Sequence, residues 1–283
     1  ETPWHGLGTR LGKPATAFEA IQAAKVNWEV QKIPIFAVGE GNDQRIPDRF
    51  AVVRKDLWGM PGDHVLGIVS GDYTPLQNRD AFTFFDPIVG EDAAIYHTAG
   101  VLGKGERIWI LAKLPDDIIV AGDDVSSKFL LLSNSHDGTS AVQIKFTPIR
   151  VVCDNTLTMA LNRGETIRVP HMKNIHKRLR QAEQLLGIIN VRFDDIADTF
   201  RQMVRVQMDK RRLAEYLKQV FPDPRDSENE RVANRVAQNR RWAEYFFDQG
   251  KGNQSSLVRG TLWTAYNGIA ELIDHRVTQQ SND

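Results

Sequence analysis

The pattern of apolar and polar positions changes period near residue 150. Before it, short β-branched and aromatic runs are separated by turns marked with Gly and Pro; after it, apolar residues recur every three or four positions over long stretches. The first half predicts strands over 28–38, 50–54, 64–70, 94–102, 106–114, 128–134 and 140–146. Thr16-Ala17-Phe18-Glu19 has capping-box spacing and opens a short helix to about Lys25. A second helix is expected over 78–89, with Ala81, Phe82, Phe85, Ile88 and Val89 as its buried stripe. Between these two helices, Tyr73-Thr74-Pro75 ends the early strands, because a residue before proline is pushed from helical geometry. Turn residues at hairpin-like intervals favour an antiparallel meander over a parallel sheet, and Asp137-Gly138 sits where the last hairpin needs a positive φ.

After Pro148 the chain reads as helix. A short apolar helix carries Cys153, and a basic amphipathic helix follows over 171–190. Met172, Ile175, Leu179, Ala182, Leu186 and Ile189 fall on one face of it, with Lys173, Lys177, Arg180 and Gln184 opposite. Further helices are expected over 193–208, 209–220, 229–247 and 257–274. The fold class is therefore α+β: a β-meander with packed helices over 1–150 and a helical region over 151–283 that packs on or extends that core.

Composition narrows the functional classes. The 283 residues are 41% hydrophobic, enough for a substantial core, and 36 Lys/Arg balance 36 Asp/Glu. With no net charge, no global field drives the protein onto nucleic acid or anionic lipid, so any such binding must come from a patch. The single cysteine, Cys153, allows no internal disulfide and fits a reducing cytoplasm. No apolar run approaches the roughly 18 residues of a membrane span, and the opening Glu1-Thr2-Pro3-Trp4-His5-Gly6 is not a signal peptide.

The patch is found between Lys145 and Arg192, where nine Lys/Arg face three acids, a local net of +6. Lys145, Arg150, Arg163, Arg168, Lys173, Lys177, Arg178 and Arg180 are the candidates for holding the phosphates of a nucleic acid, with His171 and His176 as further donors. Such contacts give sequence-independent affinity that falls with salt. An ordinary solvated helix face would carry the same residues, since Lys and Arg are good helix formers. A second cluster, Lys210-Arg211-Arg212 with Arg201 and Arg205, either extends the path or pairs with Asp194, Asp195, Asp198 and Asp209. Base stacking on an aromatic face adds about 1–3 kcal/mol per base. Trp4 and Trp58, in Gly/Pro-rich loops, are the candidates for it, whereas Trp109 lies in a run apolar on both faces and is expected in the core.

Other chemistry has less support. The turn explains Asp137-Gly138, and His136 has no partner nearby in sequence. Cys153 reads as a small buried hydrophobe. The acid pairs Asp116-Asp117 and Asp123-Asp124 read as solvated turns, and no Cys/His pair has zinc spacing, so no metal or cofactor is expected. Gly6, Gly8 and Gly12 approximate a phosphate loop, but one interval is too long and no strand precedes it.

Four segments together resemble a family of phage- and plasmid-encoded proteins catalogued as a domain of unknown function. They are Glu1-Thr2-Pro3-Trp4-His5-Gly6-Leu7-Gly8, Ser135-His136-Asp137-Gly138, Val152-Cys153-Asp154-Asn155-Thr156-Leu157, and Leu262-Trp263-Thr264-Ala265-Tyr266-Asn267 with Asp274-His275-Arg276. The resemblance implies a mobile-element protein whose chain extends beyond both ends of this sequence. The order of elements, a meander followed by a helix and a basic surface, is also similar to the core of Rad52-like single-strand annealing proteins. That similarity implies a mechanism without catalytic residues, in which a basic groove holds one strand and a ring or filament of subunits presents its bases for pairing. The expectation is a non-enzymatic, homo-oligomeric protein that binds single-stranded DNA and promotes annealing or recombination. The alternatives are an interaction protein that modulates a host or defence factor, and a hydrolase or nuclease using His136, Asp137 or the acid pairs.

Overall fold

The computed structural model describes residues 9–11, 16–60, 64–84, 95–150, 155–156, 166–185, 189–224 and 230–274. Within them the chain forms β1 (Thr9–Arg10), α1 (Ala17–Ala23), β2 (Val30–Ala37), β3 (Gln44–Arg54), β4 (Val65–Ser70), α2 (Asn78–Thr83), β5 (Ile95–Leu102), β6 (Arg107–Lys113) and β7 (Ile118–Ala121). There follow β8 (Asp124–Ser135), β9 (Val142–Arg150), β10 (Asn155–Thr156), β11 (Thr166–Val169), α3 (Ile175–Leu185), α4 (Ile189–Arg205), α5 (Lys210–Val220), α6 (Glu230–Gln249) and α7 (Leu262–Leu272). The fold is α+β, with antiparallel sheets and a helical C-terminal half.

The larger sheet has the order β1-β5-β6-β8-β9-β10, with β11 also on β9 and β7 beside the start of β8. Its centre, β5-β6-β8-β9, is the expected antiparallel meander. Alternate residues of these strands enter two apolar layers, which is why the runs look hydrophobic at nearly every position. Ile108, Ile110, Leu130, Leu132, Val142, Ile144 and Phe146 belong to the main core. Trp109, Leu111, Phe129, Leu131 and Ile149 form a smaller cluster on the opposite face, and Trp109 is buried as expected.

Helices cover the main-core face. Phe193, Ile196, Ala197 and Phe200, three and four apart on α4, and Ile175 and Leu179 of α3 join that core, as does Trp263 of α7. α7 is buried around most of its surface, and its Ala265, Ile269 and Leu272 make a second cluster with Leu213 and Leu217 of α5 and Ala243 and Phe247 of α6. The change of pattern at residue 150 therefore marks a change of secondary structure within a shared core.

β2-β3-β4 form a separate three-stranded sheet that contributes Val30, Val52, Leu66 and Val69 to the main core. Its β4 lies against the turn between β8 and β9. A Cβ on Gly67 would stand 2.5 Å from the Asp137 backbone, so only glycine permits this approach. In that turn Gly138 has the expected positive φ, +76°.

Local expectations shifted in several places. The Thr16–Glu19 capping box forms, with Glu19 N donating to Thr16 Oγ1 at 3.2 Å and Thr16 N to Glu19 Oε2 at 2.8 Å. The β8–β9 turn spans 136–141, against the 135–139 left between the expected strands, and His136 within it is buried. Asn155–Thr156, expected to be helical, is a strand paired to β9, and β11 was not anticipated. The basic helix begins at Ile175, and Met172, expected in its buried stripe, is 47% exposed. The stretch expected over 193–208 starts earlier, at Ile189, and the last helix starts later, at Leu262. Cys153, the end of the 78–89 helix, the glycines Gly6, Gly8 and Gly12, and the side chains of Ala182, Leu186 and Ile189 lie outside the described residues.

Candidate nucleic-acid interface

The basic run that looks continuous in sequence is divided by the fold into three environments. Arg163 and Trp4 lie outside the described residues. Arg150, expected to hold phosphate, is instead wholly buried. Its Nε donates to Asp124 Oδ1 at 2.8 Å, its Nη1 to Asn253 Oδ1 at 2.7 Å and its Nη2 to Asp124 Oδ2 and, at 3.1 Å, to Gly252 O. Trp263 Nε1 donates to the same carboxylate at 2.9 Å, and the guanidinium lies 5.4 Å from the Trp263 ring centre. Every strong donor of Arg150 is used internally, leaving none for a ligand. Asp124, expected from sequence to sit in a solvated turn, is its buried counter-ion.

Lys145 and Arg168 occupy the second environment. Lys145 pairs across the sheet with Leu131 and with Thr166, and Arg168 pairs with Gln143. Cross-strand partners share a face, so both cations project on the side of Leu131, opposite the core that Ile175 and Leu179 of α3 enter. The sheet thus separates them from the basic helix.

The third environment is α3 and the turn leading into it. Lys173, Lys177 and Arg180 are exposed and Arg178 is half-buried, and none of their side chains has an ion-pair or hydrogen-bond partner among the described residues. Positions three and four apart on a helix are about 5–6 Å apart at Cβ, so Lys177 and Arg180 form a short positive stripe continued by Lys173. Several cations elsewhere are neutralised. Arg54 pairs with Asp56 at 2.7 Å, Lys55 with Glu29 at 2.6 Å, Arg201 with Asp198 at 3.0 Å, Arg211 with Glu215 at 3.0 Å and Arg240 with Asp223 at 2.7 Å. The second basic cluster of the sequence is thus largely spent: Arg212 donates to Gln207 O at 3.0 Å, and Asp209 caps α5 through Arg212 N at 2.8 Å.

The field at the start of α3 is strengthened by Lys32 of β2, whose Nζ donates to Gly71 O at 2.7 Å and Tyr73 O at 2.8 Å and lies 4.6 Å from the Phe50 ring centre. Burial holds its pKa below the usual lysine value, Asp48 and Asp72 oppose that, and Lys173 adds to the lowering. Two cations therefore repel each other where a polyanion would relieve the repulsion.

A buried polar seam seats this helix. Thr74 N donates to His171 O at 3.0 Å and His171 Nδ1 to Thr74 O at 3.1 Å, while the Tyr73 and His171 rings stack with centroids 4.6 Å apart. Tyr73 Oη donates to Ser135 O at 2.7 Å, tying the seam to β8, and burial raises its pKa. Deeper in, His136 Nε2 donates to Asn78 Oδ1 at 2.7 Å, and Asn78 Nδ2 donates to Val26 O at 3.0 Å and Trp28 O at 3.2 Å. Burial, with a smaller effect of His171, pushes the pKa of His136 down to about 3. It is a neutral, fully buried structural histidine. Desolvation raises the pKa of Asp137, but hydrogen bonds from Ser135 and Thr139 outweigh it and hold the carboxyl below its usual range. Among the described residues, no group of three or more His, Cys, Asp or Glu is placed to hold a metal ion.

Three concavities border α3. One of about 340 Å³ is lined by Asp72, Met172, Lys173, Asn174 and Arg178. A neighbour of about 320 Å³ shares Asp72 and Met172 and runs between the end of β4, the β8–β9 turn and the loop before α3, reaching Tyr73, Thr139, Ser140, Ala141 and His171. A third, of about 150 Å³, lies beside His176 and Arg180. Trp58, the expected stacking residue, is 53% exposed but lines none of these three.

Comparison with known proteins places residues 65–283 in a family described as a domain of unknown function, DUF932. The chain belongs to this family. The matched stretch includes β4, the whole larger sheet from β5 onward, the β8–β9 turn and α3, so the seam and the walls of all three concavities lie within the family domain. No solved structure matches the chain. Among the described residues, no helix is long and apolar enough to cross a membrane.

Sequence reasoning counted Tyr73 among the aromatics able to stack on a base, with core packing as its default, and had no view of Asp72, Thr139 and Ser140 as site residues. Their signal is one of position only: each stands at the end of an element, beside Gly71 or Gly138, where side chains from different strands converge.

Proposed function

We propose that the chain binds nucleic acid by its phosphates along α3 and, as part of a mobile element, holds single strands for annealing or recombination. The observation that carries this reading is the set Lys173, Lys177, Arg178 and Arg180, four cations within eight residues whose side chains have no partner among the described residues, with Lys32 beside them. An exposed cation costs little to leave solvated, yet several on one helix repel each other, and a phosphate chain is the ligand that removes that repulsion at every position. The site offers binding and no assembled acid–base or nucleophilic group: His136 is sealed and Asp137 is occupied by its own turn. The likeness to Rad52-type annealing proteins rests on the order of elements alone.

The test is fluorescence anisotropy of labelled single-stranded DNA, duplex and RNA over a salt series. Binding to the single strand with a log–log salt slope of roughly −0.7 per phosphate contacted is expected; no binding at low salt removes the reading.

A second reading, a protein-interaction module, is favoured by the three-stranded sheet. Cross-strand neighbours Ile33, Ala51 and Ile68 line one face, Ile68 is 60% and Val65 42% exposed, and Phe36 and Val38 are exposed at the far end of β2. Ala51 itself is buried between its neighbours, and exposed apolar residues gathered on one sheet in this way mark contact surfaces. Light scattering of the purified protein distinguishes self-association, which the annealing mechanism requires, from a monomer that would need another partner.

A further inference from the structure

The two adjoining concavities at the start of α3 share one rim, Asp72 and Met172, and differ in charge. The first carries Lys173 and Arg178. No cationic side chain lines the second among the described residues: it offers the hydroxyls of Ser70 and Ser140, the Asp72 carboxylate, and the stacked rings of Tyr73 and His171, while the Thr139 hydroxyl is taken by Asp137 and Arg107. His171 is 8% exposed; its Nδ1 donates to Thr74 O, and its Nε2 is itself buried without a hydrogen-bond partner, so the ring presents its face and carbon edge to the concavity rather than an acceptor.

From this split we infer that the neutral concavity is a seat for one unpaired base of a strand whose phosphates lie on Lys173 and Arg178. A phosphate entering it would face the Asp72 carboxylate, and Lys32, the cation beside it, is already held by the Gly71 and Tyr73 carbonyls; a base would meet that carboxylate and the Ser70 and Ser140 hydroxyls, suited to its N–H edges, beside an aromatic pair. Its volume of about 320 Å³ stands at the small end of the roughly 300–1,000 Å³ of ligand sites, room for a single ring system and its sugar. Duplex DNA keeps its bases stacked and paired, so it could fill the cationic half only. The seat therefore makes α3 selective for single strands where its charges alone would not be, since phosphate contacts carry no such preference. The inference rests on the nucleic-acid reading above and adds base recognition to it.

Ala141 lines the concavity outside any strand and is only partly buried, so Ala141→Trp fills the space from its wall. With wild type, Ala141→Trp and Lys173→Glu/Lys177→Glu side by side, anisotropy with a single-stranded oligonucleotide and the matching duplex separates the two ideas. The base seat predicts that Ala141→Trp, checked for an unchanged melting temperature, loses roughly fivefold or more in single-strand affinity with duplex affinity unchanged. Equal affinity of Ala141→Trp for the single strand overturns the seat while leaving the phosphate site intact; retained affinity in the charge-reversed variant overturns the phosphate site itself. Should Ala141→Trp not fold, photocrosslinking of wild type to a strand carrying 5-iododeoxyuridine decides. Crosslinked peptides containing 70–73, 138–141 or 170–172 support the seat, and crosslinks confined to other segments contradict it.

Discussion

Arg150 and the cations of α3 come from one basic stretch of sequence, yet their surroundings are opposite. Arg150 is enclosed, and its charge is matched within hydrogen-bonding distance by Asp124 and by oxygens of the α6–α7 loop. Lys173, Lys177 and Arg180 stand in solvent without partners among the described residues. The difference teaches that positive charge in this protein serves two ends. Where it is neutralised internally it joins the sheet to the C-terminal helices, and where it is left open it is available to a ligand. Stability should therefore depend on the first group and binding on the second.

The largest expected effect is on Arg150. Arg150→Met leaves Asp124 buried without its counter-ion and should destabilise the fold by about 3–5 kcal/mol, read as a shift in urea midpoint; adding Asp124→Asn should recover part of it. A loss under about 1 kcal/mol would mean that Arg150 is not the internal tie described here. Next, Trp263→Phe keeps the ring but removes the Nε1 donor to Asp124, at a cost of about 1–3 kcal/mol, with strand affinity unaffected in the folded fraction.

Acid should loosen the seam under α3 without altering its cations. His136 and His171 both have pKa values lowered by burial, His136 to about 3. In the unfolded chain they titrate near 6.5, so below that pH the unfolded state takes up protons first. Their contribution is complete above about pH 6.5 and is lost as the pH falls through the window down to about 3, by at most roughly 1.4 kcal/mol per pH unit for each proton. Equal urea stability at pH 7.5 and 5 would show that the histidines are not held neutral.

The smallest effect on stability is expected on α3 itself. Lys173→Glu with Lys177→Glu changes exposed positions in favour of another good helix former and should move folding by no more than about 0.5 kcal/mol.

Much of the frame was legible because it is local. Short apolar, β-branched runs between turn residues marked β5, β6, β8 and β9, and the Thr16–Glu19 spacing marked the start of α1. What escaped depends on distant partners. Arg150 looks like any basic residue in a local window, and the residues that claim it, Asn253 and Trp263, lie more than a hundred positions away. One signal was present: Arg150 shares the parity of Val142, Ile144 and Phe146, which all point into the main core. β11 escaped because the charge within Thr166-Ile167-Arg168-Val169 draws attention away from its alternation. The same alternation sends Arg168 to the face away from α3, splitting a surface that looked continuous. The neutral concavity was illegible for a similar reason, since β4, the β8–β9 turn and the loop before α3 meet only in the folded chain.

The central claim is that α3 carries binding without carrying stability, and one paired measurement tests it most directly: the urea midpoint and the salt-dependent single-strand affinity of Lys173→Glu/Lys177→Glu beside wild type. The expected result is an unchanged midpoint, affinity lower by roughly tenfold or more and a log–log salt slope shallower by about 1.4, the share of two phosphates no longer neutralised. A folded variant with wild-type affinity and slope would contradict it.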